Sequence, residues 1–189
     1  CVMVHMNHLW EDELDPIVDS GMTPVWVPGN TFYYATRREV PSRMAELFHR
    51  GVNVTLGEDV SKAWAFGQGT LLAYYIAREE GHYLSATDLI QIQTINGARA
   101  MGLEHRIGSL EPGKRADIVI RTTDLPEAYP LTFPERGVAL QALSKAVDTV
   151  LVDGRVVLRG GRLTNMDEAV IYADAQASAE GLVAAADAA

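Results

Sequence analysis

The stretches VMVHMNHL (residues 2–9) and VNVTLGED (residues 52–59) decide the fold prediction. Both are apolar runs of strand length, and alternate residues of a strand face the same way. His5 and His8 therefore face opposite ways, so a regular strand does not bring both into one pocket. Asp59 lies on the polar face of the second stretch. Each predicted strand thus has a polar face with an ionisable residue near its C-terminal end.

Helical stretches separate these strands. EDELDPIVDSG (residues 11–21) and EVPSRMAELFHRG (residues 39–51) each have the glycine stop of a short helix. MTPVWVPGN (residues 22–30) predicts a further strand, closed by the turn formers Pro28-Gly29-Asn30. Strands alternating with helices at this spacing predict an α/β fold with a parallel sheet, and sites in such folds form where the strands end.

The chain then becomes helical. One helix is predicted over 63–80, and another over 85–101, with Ser85 as N-cap, Asp88 three residues later, and a buried side that runs from Leu89 to Met101.

The pattern changes after Leu103. IGSLEPGKRADIVI (residues 107–120) and VDTVLVDGRVVLRGGRL (residues 147–163) have the Pro-Gly, Asp-Gly and Gly-Gly turns of β-hairpins. A longer Pro-containing connection joins them over residues 122–146. From Asp167 onward the Ala-rich chain predicts a helix.

Charge, hydropathy and cysteine content indicate which partners and which cellular compartment suit the chain. The chain has 189 residues and a formal net charge of −9, which disfavours nucleic acid or an anionic membrane surface as partner. No apolar stretch approaches the ~20 residues that span a bilayer. The one cysteine, Cys1, excludes a disulfide within the chain and favours a reducing compartment. These features predict a cytoplasmic protein.

Spacing alone leaves two interpretations of the ionisable pair open. His5 and Asp59 are candidate catalytic residues at the ends of two strands. Alternatively, His5 is a hydrogen-bonded core or loop histidine, and Asp59 is a helix N-cap that shares this role with Ser61.

Residues 84–120 and 147–163 carry a resemblance to a known family. The pattern T-x-N-G-A-R-A, then G-S-L-E-P-G-K-x-A-D, then V-x-V-D-G closely resembles the C-terminal region of the amidohydrolase superfamily. The nearest branch contains the cytosine deaminases, guanine deaminases and triazine chlorohydrolases.

The resemblance implies an α/β architecture, the C-terminal part of a (β/α)8 TIM-like barrel joined to a small β-sandwich. Residues 1–103 are expected to be the barrel part, containing its sixth, seventh and eighth strands. Residues 104–165 are expected to form a portion of the β-sandwich with its connecting segment, and residues 166–189 a C-terminal helix. A complete barrel needs ~250 residues, so the chain is expected to be the C-terminal portion of a larger enzyme.

The family's functional residues map onto individual positions. Asp59 matches the strand-eight aspartate, which binds the metal and accepts a proton from the attacking water. His5 matches the strand-six histidine, which contacts substrate or water, or ligates a second metal in binuclear members. Asn30 and Trp64 match positions where substrate contacts are expected. The implied cofactor is one divalent metal ion, zinc first and iron as the alternative.

Other family motifs are absent from the chain. It lacks the His-x-His pair of strand one and the histidine of strand five, so the chain alone is expected to be inactive without the N-terminal portion of the barrel. Glu58 and Val60 flank Asp59 where the family has small residues. This difference from the family bears on which substrate is bound and leaves the expected metal chemistry unchanged.

The predicted function is hydrolysis of a carbon–nitrogen, non-peptide bond: deamination of a small nitrogen heterocycle by a metal-activated water. The alternative is a non-catalytic scaffold or interaction protein with the same fold. The sequence specifies neither the substrate nor the oligomeric state, and a homo-oligomer is one of the alternatives. His5 and Asp59 are expected to converge at the C-terminal ends of neighbouring parallel strands.

Overall fold

The computed structural model describes residues 1–35, 40–59, 68–140 and 146–187. Its first half contains a parallel sheet of strands β1 (Val2–Val4), β2 (Thr23–Trp26) and β3 (Thr55–Leu56), in the order β1-β2-β3. The parallel arrangement predicted from the sequence is confirmed. β1 is shorter than predicted because the backbone leaves the extended conformation at His5 (φ 61°).

Helices α1 (Leu14–Ser20), α2 (Pro28–Tyr33) and α3 (Met44–His49) lie between these strands in the chain. The prediction of a turn at Pro28-Gly29-Asn30 is wrong, because these residues form the first turn of α2. Proline suits the first helical position, where its missing N–H would have no helical partner and its fixed φ is already helical.

Helices α4 (Gly69–Glu79), α5 (Ala86–Gln93) and α6 (Ile95–Ala100) follow β3. The predicted start of α5 is confirmed. The Ser85 hydroxyl accepts a hydrogen bond from the Asp88 N–H (3.2 Å), and the Asp88 carboxylate accepts one from the Ser85 N–H (2.8 Å).

The single helix predicted over 85–101 is wrong, because Thr94 separates α5 from α6. Thr94 adopts φ −119° and ψ −91°, and its hydroxyl donates to the carbonyl of Ile90 (2.7 Å). Such back-bonding by threonine competes with regular helical geometry. Beyond the break, Met101 is 72% exposed, so its predicted burial is also wrong.

The hydrophobic core lies between the parallel sheet and the helices around it. Its completely or almost completely buried side chains are Leu14, Trp26, Met44, Leu47, Val54, Ile76, Leu84, Leu89 and Ile92. Helix α7 (Pro134–Leu140), within the predicted connection, packs against α4 and α5 and adds Ala139 to this core. The connection therefore returns to the helices of the parallel sheet.

The second sheet is antiparallel and contains β4 (Ile118–Arg121), β5 (Val147–Val152), β6 (Arg155–Arg159) and β7 (Arg162–Leu163) in that order. The predicted hairpins are confirmed. Both central residues of the Asp153-Gly154 and Gly160-Gly161 turns have positive φ, as type I′ hairpin turns require. In the part of the chain that the structure describes, this is a single sheet, so the sandwich remains a prediction.

The predicted C-terminal helix is present as α8 (Glu168–Asp187), and none of its residues is buried. Among the helices of the described ranges, none has the length and apolar character needed to cross a membrane. The domain boundaries after residues 103 and 165 remain predictions.

Candidate active site

The C-terminal edge of the parallel sheet brings the two predicted catalytic residues together. His5 directly follows β1, and Asp59 lies just beyond β3. The prediction that these two strands are neighbours is wrong, because β2 lies between them. The side chains nevertheless converge, with His5 Nε2 3.9 Å from Asp59 Oδ2. This separation is an ion-pair distance that is too long for a hydrogen bond.

Both residues have left-handed backbone conformations, with φ 61° at His5 and φ 56° at Asp59. Residues other than glycine adopt this region uncommonly. Backbone strain of this kind costs roughly 1–3 kcal/mol per residue and clusters at functional sites. The strand ends are therefore bent where the two candidate side chains meet.

Asn30 connects the pair. It lies in the first turn of α2, after β2, and is 6% exposed. Its Nδ2 is 3.0 Å from Asp59 Oδ2 and 3.1 Å from His5 Nδ1. Its Oδ1 is buried without a hydrogen-bond partner among the described residues. The structure thus brings together three of the four residues predicted for the site, one after each parallel strand.

The fourth residue, Trp64, lies in the segment 60–67, outside the described residues. Its predicted substrate contact therefore stays a prediction.

The carboxylate of Glu58 contacts the start of helix α4. Its Oε1 accepts a hydrogen bond from the N–H of Gly69 (3.1 Å), the first residue of α4. A Cβ at Gly69 would lie 2.6 Å from this oxygen, so the carboxylate depends on the glycine for its position. A carboxylate is favourable at a helix N-terminus. Glu58 therefore belongs to the packing of α4 and not to the site.

Two further polar residues of the first loop take structural positions. His8 Nδ1 lies 2.9 Å from the carbonyl oxygen of Val40. Asn7 is 4% exposed, and its Oδ1 accepts a hydrogen bond from the N–H of Val27 (2.9 Å), the residue before α2. This hydrogen bond was not predictable from local sequence signals, because Asn7 and Val27 are 20 residues apart in the chain.

The donor groups of the site suit zinc in type but not in number. Zinc binds carboxylate oxygen and imidazole nitrogen, and a catalytic zinc has three protein ligands and an open position. Asp59 and His5 supply one group of each type. No cluster of three or more His, Cys, Asp or Glu side chains occurs within residues 1–35, 40–59, 68–140 and 146–187. A zinc ion here would need ligands from outside the described residues.

Comparison with known proteins identifies the family. A sequence model of the amidohydrolase family matches residues 11–157. The chain belongs to this family. The resemblance detected in the sequence is therefore confirmed, and the motifs that carry it, from Thr94 to Gly154, lie inside the matched region.

The similar proteins include deaminases. A 5'-deoxyadenosine deaminase from Methanothermobacter thermautotrophicus is 36% identical over 187 residues, which cover 96% of this chain and 43% of that protein. The structure also resembles a zinc-bound adenosine deaminase from Xanthomonas campestris, with a TM-score of 0.88 at 25% identity over 97% of this chain and 42% of that one.

The fold also matches an atrazine chlorohydrolase from Arthrobacter aurescens, solved with zinc. The TM-score is 0.81 at 22% identity, over 93% of this chain and 40% of that one. The chain thus spans less than half the length of each of these three proteins.

Proposed function

We propose that the protein is a metal-dependent deaminase of an adenine-type nucleoside, in which this chain forms the C-terminal part of the catalytic barrel. The observation that carries the proposal is the convergence of His5, Asn30 and Asp59 at one edge of a parallel sheet in an amidohydrolase. Deaminases of 5'-deoxyadenosine and adenosine among the similar proteins support the substrate class. Deamination replaces the exocyclic amino group of the ring with oxygen from water and releases ammonia.

Asp59 is proposed as metal ligand and proton acceptor. A carboxylate next to the attacking water can accept its proton and pass it to the departing amino group. The strained backbone at Asp59 and the amide of Asn30 fix this carboxylate at the strand end.

His5 is proposed to polarise the substrate or the water. Its side chain is 52% exposed at the edge of the sheet, which leaves the imidazole accessible to a small molecule. Positioned groups of this type typically contribute 10²–10⁴-fold to the rate.

Asn30 and Trp64 are the proposed substrate contacts. Both Asn30 Nδ2 hydrogens have partners, and its Oδ1 is buried without one among the described residues. A substrate contact through Asn30 therefore requires Oδ1, an acceptor for an amino or hydroxyl group, to become accessible when the substrate binds.

Zinc is the proposed metal, with iron as the alternative. When bound, zinc makes hydroxide available near neutral pH by lowering the pKa of water to about 7. Because Asp59 is the one metal ligand proposed within this chain, we propose that the remaining ligands come from a part of the barrel outside this chain. The isolated chain is then inactive.

Ammonia release by the full-length, zinc-loaded protein tests this function, with 5'-deoxyadenosine and adenosine as substrates. We expect turnover in the wild type and none in Asp59→Asn, because an amide does not accept the proton of the water. His5→Ala should lose about 10²–10⁴-fold in rate. Glu58→Gln is the matched control and should stay close to the wild type, since this side chain faces α4.

Two results would contradict the proposal. Near-normal turnover of Asp59→Asn with full zinc occupancy would remove Asp59 from the mechanism. A wild type that neither binds zinc nor releases ammonia would favour the non-catalytic scaffold.

A further inference from the structure

We propose that Asn30 is a positioning residue, which holds the carboxylate of Asp59 in place and fixes the tautomer of His5 through one amide nitrogen. The inference rests on the proposed function only in assigning all three residues to the same site. It follows from three hydrogen-bonding groups whose roles are determined by their chemistry.

The orientation of the Asn30 amide follows from its contact with Asp59. A carboxylate only accepts hydrogen bonds, whereas an asparagine amide donates through nitrogen and accepts through oxygen. The atom 3.0 Å from Asp59 Oδ2 must therefore be Nδ2, because an oxygen there would face another oxygen without a proton between them. The chemistry of Asp59 thus assigns the two ends of the amide.

The tautomer of His5 follows from this assignment. The second hydrogen of Asn30 Nδ2 points to His5 Nδ1, 3.1 Å away. Since Nδ2 is a donor, Nδ1 must be the unprotonated nitrogen of the neutral ring, and the proton lies on Nε2. Nε2 is also the ring nitrogen nearest to Asp59 Oδ2, at 3.9 Å. Asn30 thereby presents an N–H of His5 on the side of the carboxylate.

Asn30 is the fixed member of the three. It is 6% exposed, in a helix that packs against α4, and its own N–H donates to the carbonyl of Val27 (3.1 Å). The N–H of Val27 is in turn held by Asn7. His5, by contrast, has a half-exposed side chain on a strained backbone. Residues that orient metal ligands from behind typically change metal affinity or activity 10–100-fold when they are removed.

The test compares full-length wild type, Asn30→Ala and Asn30→Leu. Asn30→Leu keeps a side chain of similar size in this buried position but removes both donors. Asn165→Ala, an exposed asparagine before α8, is the control. The first measurement is zinc affinity, by competition with a chromogenic chelator. The second is the tautomer of His5, from long-range ¹H–¹⁵N correlations at a pH where the ring is neutral.

We expect both Asn30 variants to bind zinc about 10–100-fold more weakly, with Asn165→Ala unchanged. In the wild type His5 should carry its proton on Nε2 alone, and in Asn30→Ala the proton should distribute over both nitrogens. A purely structural role would lower thermal stability without changing the tautomer.

The proposal is overturned if the tautomer is the same in wild type and Asn30→Ala, or if zinc affinity falls by less than about threefold in both variants. Failure of the deaminase proposal looks different. In that case the wild type releases no ammonia, while the tautomer still depends on Asn30.

Discussion

Gly108, in the segment G-S-L-E-P-G-K, packs directly against helix α6, and we predict that Gly108→Ala is strongly destabilising. A Cβ at this position would lie 2.7 Å from the Cβ of Ala98 and 3.0 Å from the Cα of Ile95. The second atom belongs to the backbone of α6 and cannot rotate away. Gly108 also has φ +92°, a conformation that disfavours any L side chain.

Gly113 in the same segment provides a matched control. Its φ is +93°, nearly equal to that of Gly108, but a Cβ there would meet no atom within 4 Å. Gly113→Ala therefore carries only the backbone cost, roughly 1–2 kcal/mol. Gly108→Ala adds the cost of inserting a methyl group into a filled space, about 1–3 kcal/mol. We expect a total loss of about 2–5 kcal/mol for Gly108→Ala.

Urea and thermal unfolding of the two variants and the wild type measure this difference. In a folding unit of the length of this chain, each kcal/mol lowers the Tm by about 2–4 °C, so Gly108→Ala should melt about 2–12 °C below Gly113→Ala. Equal destabilisation of the two variants would refute the close packing of this segment on α6.

Two other substitutions test the support of β3. Asn96→Ala should lose about 1–3 kcal/mol of unfolding free energy, because Asn96 is 1% exposed and its Nδ2 donates to the carbonyl of Val54 (2.8 Å). Urea unfolding measures this loss, with the exposed Asn165→Ala as the control. Equal urea midpoints of the two variants would contradict the prediction. Leu89→Ala should lose about 2–5 kcal/mol from the core, whereas Leu110→Ala, at a position 78% exposed, should change stability by no more than about 0.5 kcal/mol. Calorimetry of Leu89→Ala and Leu110→Ala measures this difference, and similar Tm values would contradict the burial of Leu89.

Local signals in the sequence were sufficient for the order of the main strands and for helices α1, α3, α5 and α8. Glycine stops, the capping box at Ser85 and the Asp-Gly and Gly-Gly turns are rules that depend on neighbouring residues, and the structure obeys them. Parallel pairing followed from alternating strands and helices. The T-x-N-G-A-R-A segment also proves structural, since its asparagine, Asn96, binds the backbone of the strand before Asp59.

Features that depend on distant contacts were not predictable in this way. Strand alternation predicted an extended chain through His5 and Asp59, but both adopt left-handed conformations, which remain uncommon outside glycine even for His and Asp. Alternation also placed Asn7 on the face of His5, whereas its side chain is held by Val27. The helix break at Thr94 depends on one side-chain hydrogen bond that competes with a strongly periodic pattern.

The arrangement of the three site residues was also only partly predictable from the sequence. Sequence placed His5 and Asp59 at strand ends, which was sufficient to bring them to one edge of the sheet. It predicted a turn at Asn30, and so could not show that this residue is anchored in a helix between the other two.

The central claim is that Asp59 belongs to a metal site at the C-terminal edge of the parallel sheet. The most direct measurement is a crystal structure of the full-length, zinc-loaded protein with anomalous data at the zinc edge. We predict an anomalous peak about 2.0–2.2 Å from a carboxylate oxygen of Asp59, with Asn30 Nδ2 still bonded to that carboxylate. Zinc bound elsewhere, with Asp59 outside its coordination sphere, would contradict the account.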